Sequence, residues 1–108
     1  IRGLNPIMLE FIQYLSINYP SIKRYVLSNT DFWHWQYLNQ LLPSNIIFDK
    51  IFLSYEIKLL KPDLQIYSYV LDIIGFSAQE CLFIDDSMQN ILAAQQIGLK
   101  TFHYKPIK

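Results

Sequence analysis

The chain has 108 residues, of which 52% are hydrophobic and 17% are charged, a length that suits one domain with a modest core. Lys and Arg together number nine, as do Asp and Glu, so no charge excess favours nucleic acid or an anionic membrane as a partner. No apolar stretch approaches the roughly 20 residues that cross a bilayer. The single cysteine, Cys81, excludes a disulfide within the chain and fits a reducing cytoplasm.

The first half of the chain predicts helices and strands in alternation. Asn5 and Pro6 are a cap residue followed by a first-turn proline, so a helix is expected to begin there. Residues 25–27 and 51–53 are short apolar runs that favour buried strands. A second helix lies between them and ends at Pro43. The side chains expected to pack from these two helices are Met8, Phe11, Ile12, Leu15, Tyr19, Phe32, Trp35, Leu38, Leu41 and Leu42.

The second half continues the same alternation. Pro62 opens a third helix, and Gly75 is expected to stop it in a left-handed conformation. A third strand is predicted over residues 82–84, a fourth helix over residues 87–97, and a final strand over residues 101–104. The third helix is expected to turn four residues toward the core: Ile66, Val70, Ile73 and Ile74.

Alternating strands and helices imply parallel strands with helical crossovers, and therefore an α/β sheet covered on both faces. In such sheets, ligands bind beyond the carboxyl ends of the strands. The polar residues that follow the strands are Ser28 and Asn29, the loop of residues 54–61, and Asp85 with Asp86. Chemistry is therefore expected at these positions.

Asp85 and Asp86 are the sharpest of these features. Two adjacent carboxylates repel each other unless a cation or hydrogen-bond donors compensate, and magnesium bound through one or two carboxylates and several waters would do so. Capping of the following helix is the other interpretation, and the pair alone leaves both open. Taken singly, Lys61 is most simply a solvated surface residue. Ordinary turn, cap or first-turn roles would explain the remaining polar residues: Ser28, Asn29, Ser87 and Asn90.

The order of these residues is more informative than any one of them. A hydroxyl ends one strand at Ser28, Lys61 precedes a later helix, and Asp85-Asp86 follows the next strand. This order resembles the haloacid-dehalogenase-like (HAD-like) hydrolases, from Leu4 to Tyr104. The Leu-Ser-Asn-Thr and Asp-Asp variants are most similar to sugar-phosphate phosphatases such as glucose-1-phosphate phosphatase, and to the phosphatase domain of soluble epoxide hydrolase.

The resemblance implies a three-layer Rossmann-like core with a parallel sheet, of which residues 1–108 would form the C-terminal part. It implies a magnesium-dependent phosphatase acting on a small phosphorylated metabolite, such as a sugar phosphate, through a phosphoaspartate. The implied roles are phosphoryl binding by Ser28 and the Asn29 backbone, charge neutralisation by Lys61, magnesium binding by Asp86, metal binding or orientation of Lys61 by Asp85, and support from Ser87 and Asn90. An acid is often found in place of Asn90, so the asparagine would lower the negative charge near the metal.

One family motif is missing from the sequence. The nucleophile and the general acid/base of the family belong to an Asp-x-Asp motif after an apolar strand, and the 108 residues contain no Asp-x-Asp. The family places that motif upstream, with a cap domain after it. We therefore expect the chain to lack the nucleophile, the acid/base, the cap and the central strand, and to be inactive alone. The strands that end at Ser28 and Asp85 would flank the missing strand.

Two other hypotheses about the function account for part of this pattern. A catalytically inactive HAD-like remnant that serves as an interaction domain requires the upstream motif to be absent or degenerate. A receiver domain also combines an α/β sheet with an acidic pair and a lysine. Its acidic pair comes near its beginning, however, whereas Asp85 and Asp86 follow Lys61 near the end of this chain.

Overall fold

The computed structural model describes residues 6–44 and 46–105, in which helices and parallel strands alternate. The α/β class is therefore confirmed. The predicted cap at Asn5 lies outside the described residues. The helices are α1 (Pro6–Asn18), α2 (Phe32–Leu41), α3 (Ser54–Ile57), α4 (Leu64–Ile74) and α5 (Met88–Ile97), and the strands are β1 (Tyr25–Ser28), β2 (Lys50–Leu53), β3 (Leu82–Asp85) and β4 (Lys100–His103).

Ile1–Lys58 forms the first of two compact units. Within it, β1 and β2 pair in parallel, in a register that runs from Tyr25 opposite Lys50 to Ser28 opposite Leu53. Its buried apolar residues are Ile46, Phe52 and Leu53.

The expected packing of α1 and α2 is wrong in part, because neither helix has a buried residue. Of the predicted side chains, some are exposed (Phe11, Tyr19, Phe32 and Leu41) and some are half-buried (Met8, Ile12, Leu15, Trp35, Leu38 and Leu42). The helix α2 also stops one residue before Leu42, which is its C-terminal cap. The helical period therefore predicted which side chains share a face of each helix. It does not show whether another element covers that face.

Leu59–Lys108 forms the second unit. Its strands β3 and β4 pair in parallel, from Leu82 opposite Lys100 to Asp85 opposite His103. The final strand thus begins and ends one residue earlier than predicted. The core of this unit comes from α4 and α5 and consists of Ile66, Tyr67, Ile91, Ala93 and Ala94.

One residue of α4 departs from its predicted place. Ile66 is fully buried as expected, but Ile73 is 48% exposed. The two residues lie seven apart and so share a face of the helix. Ile73 is in the last turn of α4, whose buried residues, Ile66 and Tyr67, lie in its first turn. Its predicted place in the core is therefore wrong.

Helix ends follow the residue types that favour them. Asp63 caps the start of α4 by accepting a hydrogen bond from the Gln65 N–H at 3.1 Å. Gly75 ends that helix with φ 78°, and Gly98 ends α5 with φ 103°, so each occupies the left-handed region that glycine tolerates. Gly75 is therefore confirmed as the stop of the third predicted helix.

The segment of residues 54–61, expected to be a loop, begins with the single helical turn α3. This turn ends at Lys58, whose φ of 60° places a residue with a side chain in the left-handed region. The Lys58 N–H donates to the Ser54 carbonyl at 2.8 Å, which closes the turn. A turn of four residues is too short for a hydrophobic period to reveal it.

Across residues 6–44 and 46–105, no helix combines the length and the hydrophobicity that a bilayer crossing requires.

The backbone of Lys58 leads to a stability prediction. Lys58→Gly is expected to raise the free energy of unfolding by about 0.5–1 kcal/mol, because the left-handed region penalises a side chain more than the extra flexibility of glycine costs. Gly75→Ala is the matched control, since the added Cβ meets nothing within 4 Å. It should lower the free energy of unfolding by about 1 kcal/mol through backbone strain alone. Urea denaturation measures both, and an unchanged or lower midpoint for Lys58→Gly would contradict the prediction.

Candidate functional site

A buried ion pair joins the two most distinctive sequence features of the second unit. The Nζ of Lys61 donates to Oδ2 of Asp85 at 2.8 Å, and the two side chains are 11% and 7% exposed. Lys61 lies just before α4, and Asp85 is the last residue of β3. Lys61 Nζ also lies 5.7 Å from the centroid of the Phe83 ring, within the range of a cation–π contact.

The Asp85 carboxylate collects further donors from the turn that follows it. Its Oδ1 accepts the backbone N–H of Ser87 at 2.8 Å, and its Oδ2 accepts Nδ2 of Asn90 at 3.2 Å in addition to Lys61. Ser87 in turn caps α5 by accepting the Asn90 N–H at 3.4 Å. Asp85 therefore joins the end of β3, the start of α4 and the start of α5.

These contacts decide the protonation state of Asp85. Burial raises the pKa of this carboxyl group, but the Lys61 ammonium and the hydrogen bonds from Lys61, Ser87 and Asn90 together outweigh burial. The net result is a pKa below its usual value of 3.8. Asp85 is therefore an anion at neutral pH.

Tyr67 supports this arrangement from the buried side of α4. Its hydroxyl donates to the Asn90 carbonyl at 3.1 Å, and its ring meets the edge of Phe83 at a centroid distance of 5.4 Å. Burial, and next the charge of Asp85, raise the pKa of Tyr67 to about 12. The phenol therefore keeps its proton and remains a donor to Asn90. The sequence pattern predicted no role for Tyr67.

Two contacts from the end of β4 hold the acidic turn. Nε2 of His103 lies 3.0 Å from the backbone carbonyl of Asp86, and because a carbonyl oxygen only accepts, this nitrogen carries the hydrogen. The Tyr104 N–H donates to the Asp85 carbonyl at 3.2 Å. The peptide groups of both aspartates are thus tied to the neighbouring strand. Sequence reasoning did not single out His103, whose only signal was its position at the end of a strand.

The first unit contains the other predicted site residues, Ser28 and Asn29. Ser28 is the last residue of β1, opposite Leu53 of β2, and is half-buried, whereas Asn29 is exposed. Asp31 follows them and caps α2 by accepting the His34 N–H at 2.8 Å. That bond and the contact of Asp31 with the His34 ring, at 2.7 Å, lower the pKa of Asp31. The turn therefore leads directly from a paired strand into a capped helix.

The chemistry of the carboxylates bears on metal binding. In the described residues, no three His, Cys, Asp or Glu side chains gather closely enough to hold a metal ion. Asp85 already accepts hydrogen bonds from a lysine, an amide and a backbone N–H. This set of partners suits a residue that orients its neighbours. Magnesium commonly takes only one or two protein carboxylates and fills its other positions with water and phosphate oxygens. The half-buried Asp86 fits as one such ligand.

A sequence model of the haloacid dehalogenase-like hydrolases matches residues 4–98. The chain therefore belongs to this hydrolase family, as its order of serine, lysine and paired aspartates predicted.

Relatives in the family include phosphatases. A sesquiterpene phosphatase of Aspergillus oryzae is 44% identical over 57 residues, which are 53% of this chain and 29% of that protein. A D-ribitol-5-phosphate phosphatase of Bacteroides thetaiotaomicron is 29% identical over 104 residues, or 91% of this chain and 50% of that protein. A drimenol cyclase of Aspergillus calidoustus is 33% identical over 87 residues, 79% of this chain and 16% of that protein. The chain thus spans half or less of these curated relatives.

Solved structures show the same fold. A HAD family enzyme of Bacteroides thetaiotaomicron, determined in complex with magnesium and inorganic phosphate, matches 99% of this chain and 56% of its own with a TM-score of 0.83 and 30% identity. A predicted HAD-like hydrolase of Porphyromonas gingivalis matches 100% of this chain and 54% of its own with the same TM-score at 24% identity, which supports the fold alone.

The buried ion pair leads to a second prediction. Lys61→Met and Asp85→Asn are each expected to cost about 2–4 kcal/mol of stability, because each strands its partner in a nearly dry site. The loss of stability in the double variant should be smaller than the sum of the two single losses by at least about 1.5 kcal/mol. The exposed pair of Lys23 and Asp49, at 3.9 Å, is the control and should couple by less than about 0.5 kcal/mol. Denaturant unfolding of the two single variants and the double variant of each pair measures the coupling energies. Equal coupling energies in the two pairs would refute the prediction.

The lowered pKa of Asp85 also predicts how stability depends on pH. A carboxyl group whose pKa is lower in the folded than in the unfolded state contributes its full stabilisation above the unfolded value of about 3.9. That contribution is lost as the pH falls through the lower folded value. The free energy of unfolding should therefore fall steeply below about pH 4 in the wild type and less steeply in Asp85→Asn. Parallel curves for the two proteins would show that Asp85 has no such role.

Proposed function

We propose that this chain supplies the phosphoryl-binding and metal-binding part of a magnesium-dependent phosphatase that acts on a small phosphorylated metabolite. The observation that carries the proposal is the buried Lys61–Asp85 pair beside Asp86 at the carboxyl end of β3. Fixed charges of this kind suit phosphoryl transfer, in which catalysis is mainly positioning and charge stabilisation. Family membership and the phosphatase relatives support the same activity.

The proposed reaction has two steps. A carboxylate attacks the phosphorus atom, the bond to the leaving oxygen breaks as a second carboxyl group gives that oxygen its proton, and a phosphoaspartate and an alcohol form. Water then attacks the same phosphorus atom and gives a proton to the second carboxylate, the bond to the first carboxylate breaks, and inorganic phosphate leaves. The nucleophile would come from an Asp-x-Asp motif, which is absent from these 108 residues. Division into two steps lowers the barrier of each.

Each residue of the chain has a proposed role in these steps. Lys61, held by Asp85, would neutralise charge on the attacking carboxylate and on the phosphoryl group. Ser28 and the backbone of Asn29 would hold phosphoryl oxygens. Because Asp85 keeps Lys61 ionised and in place, the lysine needs little reorganisation when substrate arrives.

Asp86 would bind the magnesium ion, and Asp85, Ser87 and Asn90 would fix the turn that carries it. Magnesium bound there would supply positive charge to the phosphoryl oxygens. Asn90 donates to Asp85, a contact that an acid at this position would replace with repulsion between two carboxylates. The asparagine thus suits a site in which Asp85 serves Lys61 while Asp86 serves the metal. The relative solved with magnesium and inorganic phosphate supports magnesium as the proposed metal.

The relatives support a proposed substrate class. A phosphate monoester of a sugar or polyol is proposed, in line with the D-ribitol-5-phosphate phosphatase. The proposed compartment is the cytoplasm, in line with the single cysteine. A terpenyl phosphate is the comparison substrate that the sesquiterpene phosphatase suggests. A second candidate, an inactive HAD-like interaction domain, is favoured only by the missing Asp-x-Asp motif.

We expect the 108-residue chain alone to release no phosphate from p-nitrophenyl phosphate in the presence of magnesium, because it has no nucleophile of the required motif. Asp86→Ala is the control for a contaminating phosphatase. Turnover by the chain that disappears in this variant would contradict the expectation.

The coding sequence upstream of Ile1 distinguishes the two candidate functions. If it encodes an apolar strand ending in Asp-x-Asp, the protein expressed from the whole reading frame should hydrolyse sugar or polyol phosphates only with magnesium. Asp86→Ala should then raise the magnesium concentration needed for half-maximal activity by at least about tenfold, as loss of one metal ligand would. A reading frame without the Asp-x-Asp motif would favour the interaction domain. So would a protein that hydrolyses neither sugar or polyol phosphates nor terpenyl phosphates.

A further inference from the structure

Ser54 is a buried polar residue to which the proposed mechanism gives no role. Among the described residues, the buried polar or charged side chains are Ser54, 6% exposed, and Asp85. Buried polar groups occur where hydrogen bonds compensate for lost water, so their partners indicate what they hold. Asp85 holds the lysine and the acidic turn. Ser54 lies in the other unit, directly after β2, and its partners belong to the segment that follows β1.

Both hydrogen bonds of the Ser54 side chain join it to one residue. Its hydroxyl donates to the Thr30 carbonyl at 2.9 Å and accepts the Thr30 N–H at 2.9 Å. The pairing of β1 with β2 ends at Ser28 and Leu53, because the chain turns into α3 at Ser54. The serine side chain thus satisfies the backbone groups of Thr30 where the ladder no longer can. A single hydroxyl serves as both donor and acceptor, which an alanine cannot do.

This contact limits the freedom of the turn that follows β1. Ser28 is held by the ladder, Thr30 by Ser54, and Asp31 by its capping bond to α2. Asn29 therefore connects two residues whose backbones are fixed. A site that binds phosphoryl oxygens through a hydroxyl and a backbone N–H needs those donors within about 0.5 Å of their working positions. A fixed turn meets this need before substrate arrives.

We propose that Ser54 is a positioning residue for phosphate binding, which acts by fixing the turn of residues 28–31 through both backbone groups of Thr30. This inference rests on the proposed phosphatase function of the same turn. It adds a residue from the neighbouring strand end that does not itself touch the substrate.

The test uses the protein expressed from the whole reading frame, with a sugar phosphate as substrate and inorganic phosphate as inhibitor. Ser54→Ala is expected to raise both KM and the inhibition constant for phosphate by about tenfold, with a smaller change in kcat. Ser54→Thr keeps the hydroxyl and should restore both constants to within about threefold of the wild type. A merely structural role would instead lower the active fraction, and therefore the apparent kcat, without moving KM or the inhibition constant.

Ser16→Ala is the matched control, because the Ser16 hydroxyl also makes a 2.9 Å bond to a backbone carbonyl, that of Ile12, but lies within α1. It should leave KM and the inhibition constant unchanged. Should Ser54→Ala fail to fold in a thermal melt, Ser54→Cys takes its place, since a thiol is a weaker donor and acceptor and should raise both constants to a smaller extent.

The outcomes separate the inference from the function on which it rests. A wild-type protein that neither hydrolyses sugar phosphates nor binds inorganic phosphate would overturn the proposed function. A wild type that does both, together with a Ser54→Ala variant whose KM and inhibition constant stay within twofold, would overturn the role of Ser54 alone.

Discussion

The ion pair of Lys61 and Asp85 is the constraint on which the second unit depends. Neither charge is stable in a nearly dry site without the other, so the start of α4 has to meet the end of β3. The same carboxylate takes the backbone N–H of Ser87 and the amide of Asn90, and so it also fixes the start of α5. Burial of one aspartate therefore sets the relative positions of a strand and two helices, and the aromatic pair of Tyr67 and Phe83 packs beneath them.

The two units solve a similar problem in different ways. Each contains a short parallel pair of strands, and in each a buried polar side chain at a strand end satisfies groups that backbone pairing does not. Ser54 does this with one neutral hydroxyl and one residue as partner. Asp85 does so with a charged carboxylate that accepts hydrogen bonds from three donors, one of which has to be a cation. Both side chains hold a turn at the carboxyl end of a strand, which is where α/β proteins bind ligands.

Local sequence signals predicted the order of the elements, because short apolar runs, Pro62 and Gly75 act over a few residues. The family resemblance added the grouping of Lys61 with Asp85, which lie 24 residues apart. The exposure of Ile73 was not predictable, because a helical period shows which side chains share a face and not whether another element covers it. The contacts of Ser54, Tyr67 and His103 were missed for a related reason. The contacts of Ser54 and His103 depend on where a strand ends relative to its neighbour, and the Tyr67 contact depends on how α4 packs against α5. Residue type alone encodes neither.

The pairing of the strands has a consequence for how the chain folds. In each unit, the first strand pairs with the next strand along the chain, and a single helix connects the two. Tyr25 lies opposite Lys50 and Leu82 opposite Lys100, so each pairing closes a loop that lies wholly within its own unit. All residues of the β1–β2 pair, and Ser54 that holds Thr30, precede β3 in the chain. The order of the chain thus allows the turn at Ser28 to form during translation, while the aspartates of the second unit are still unmade.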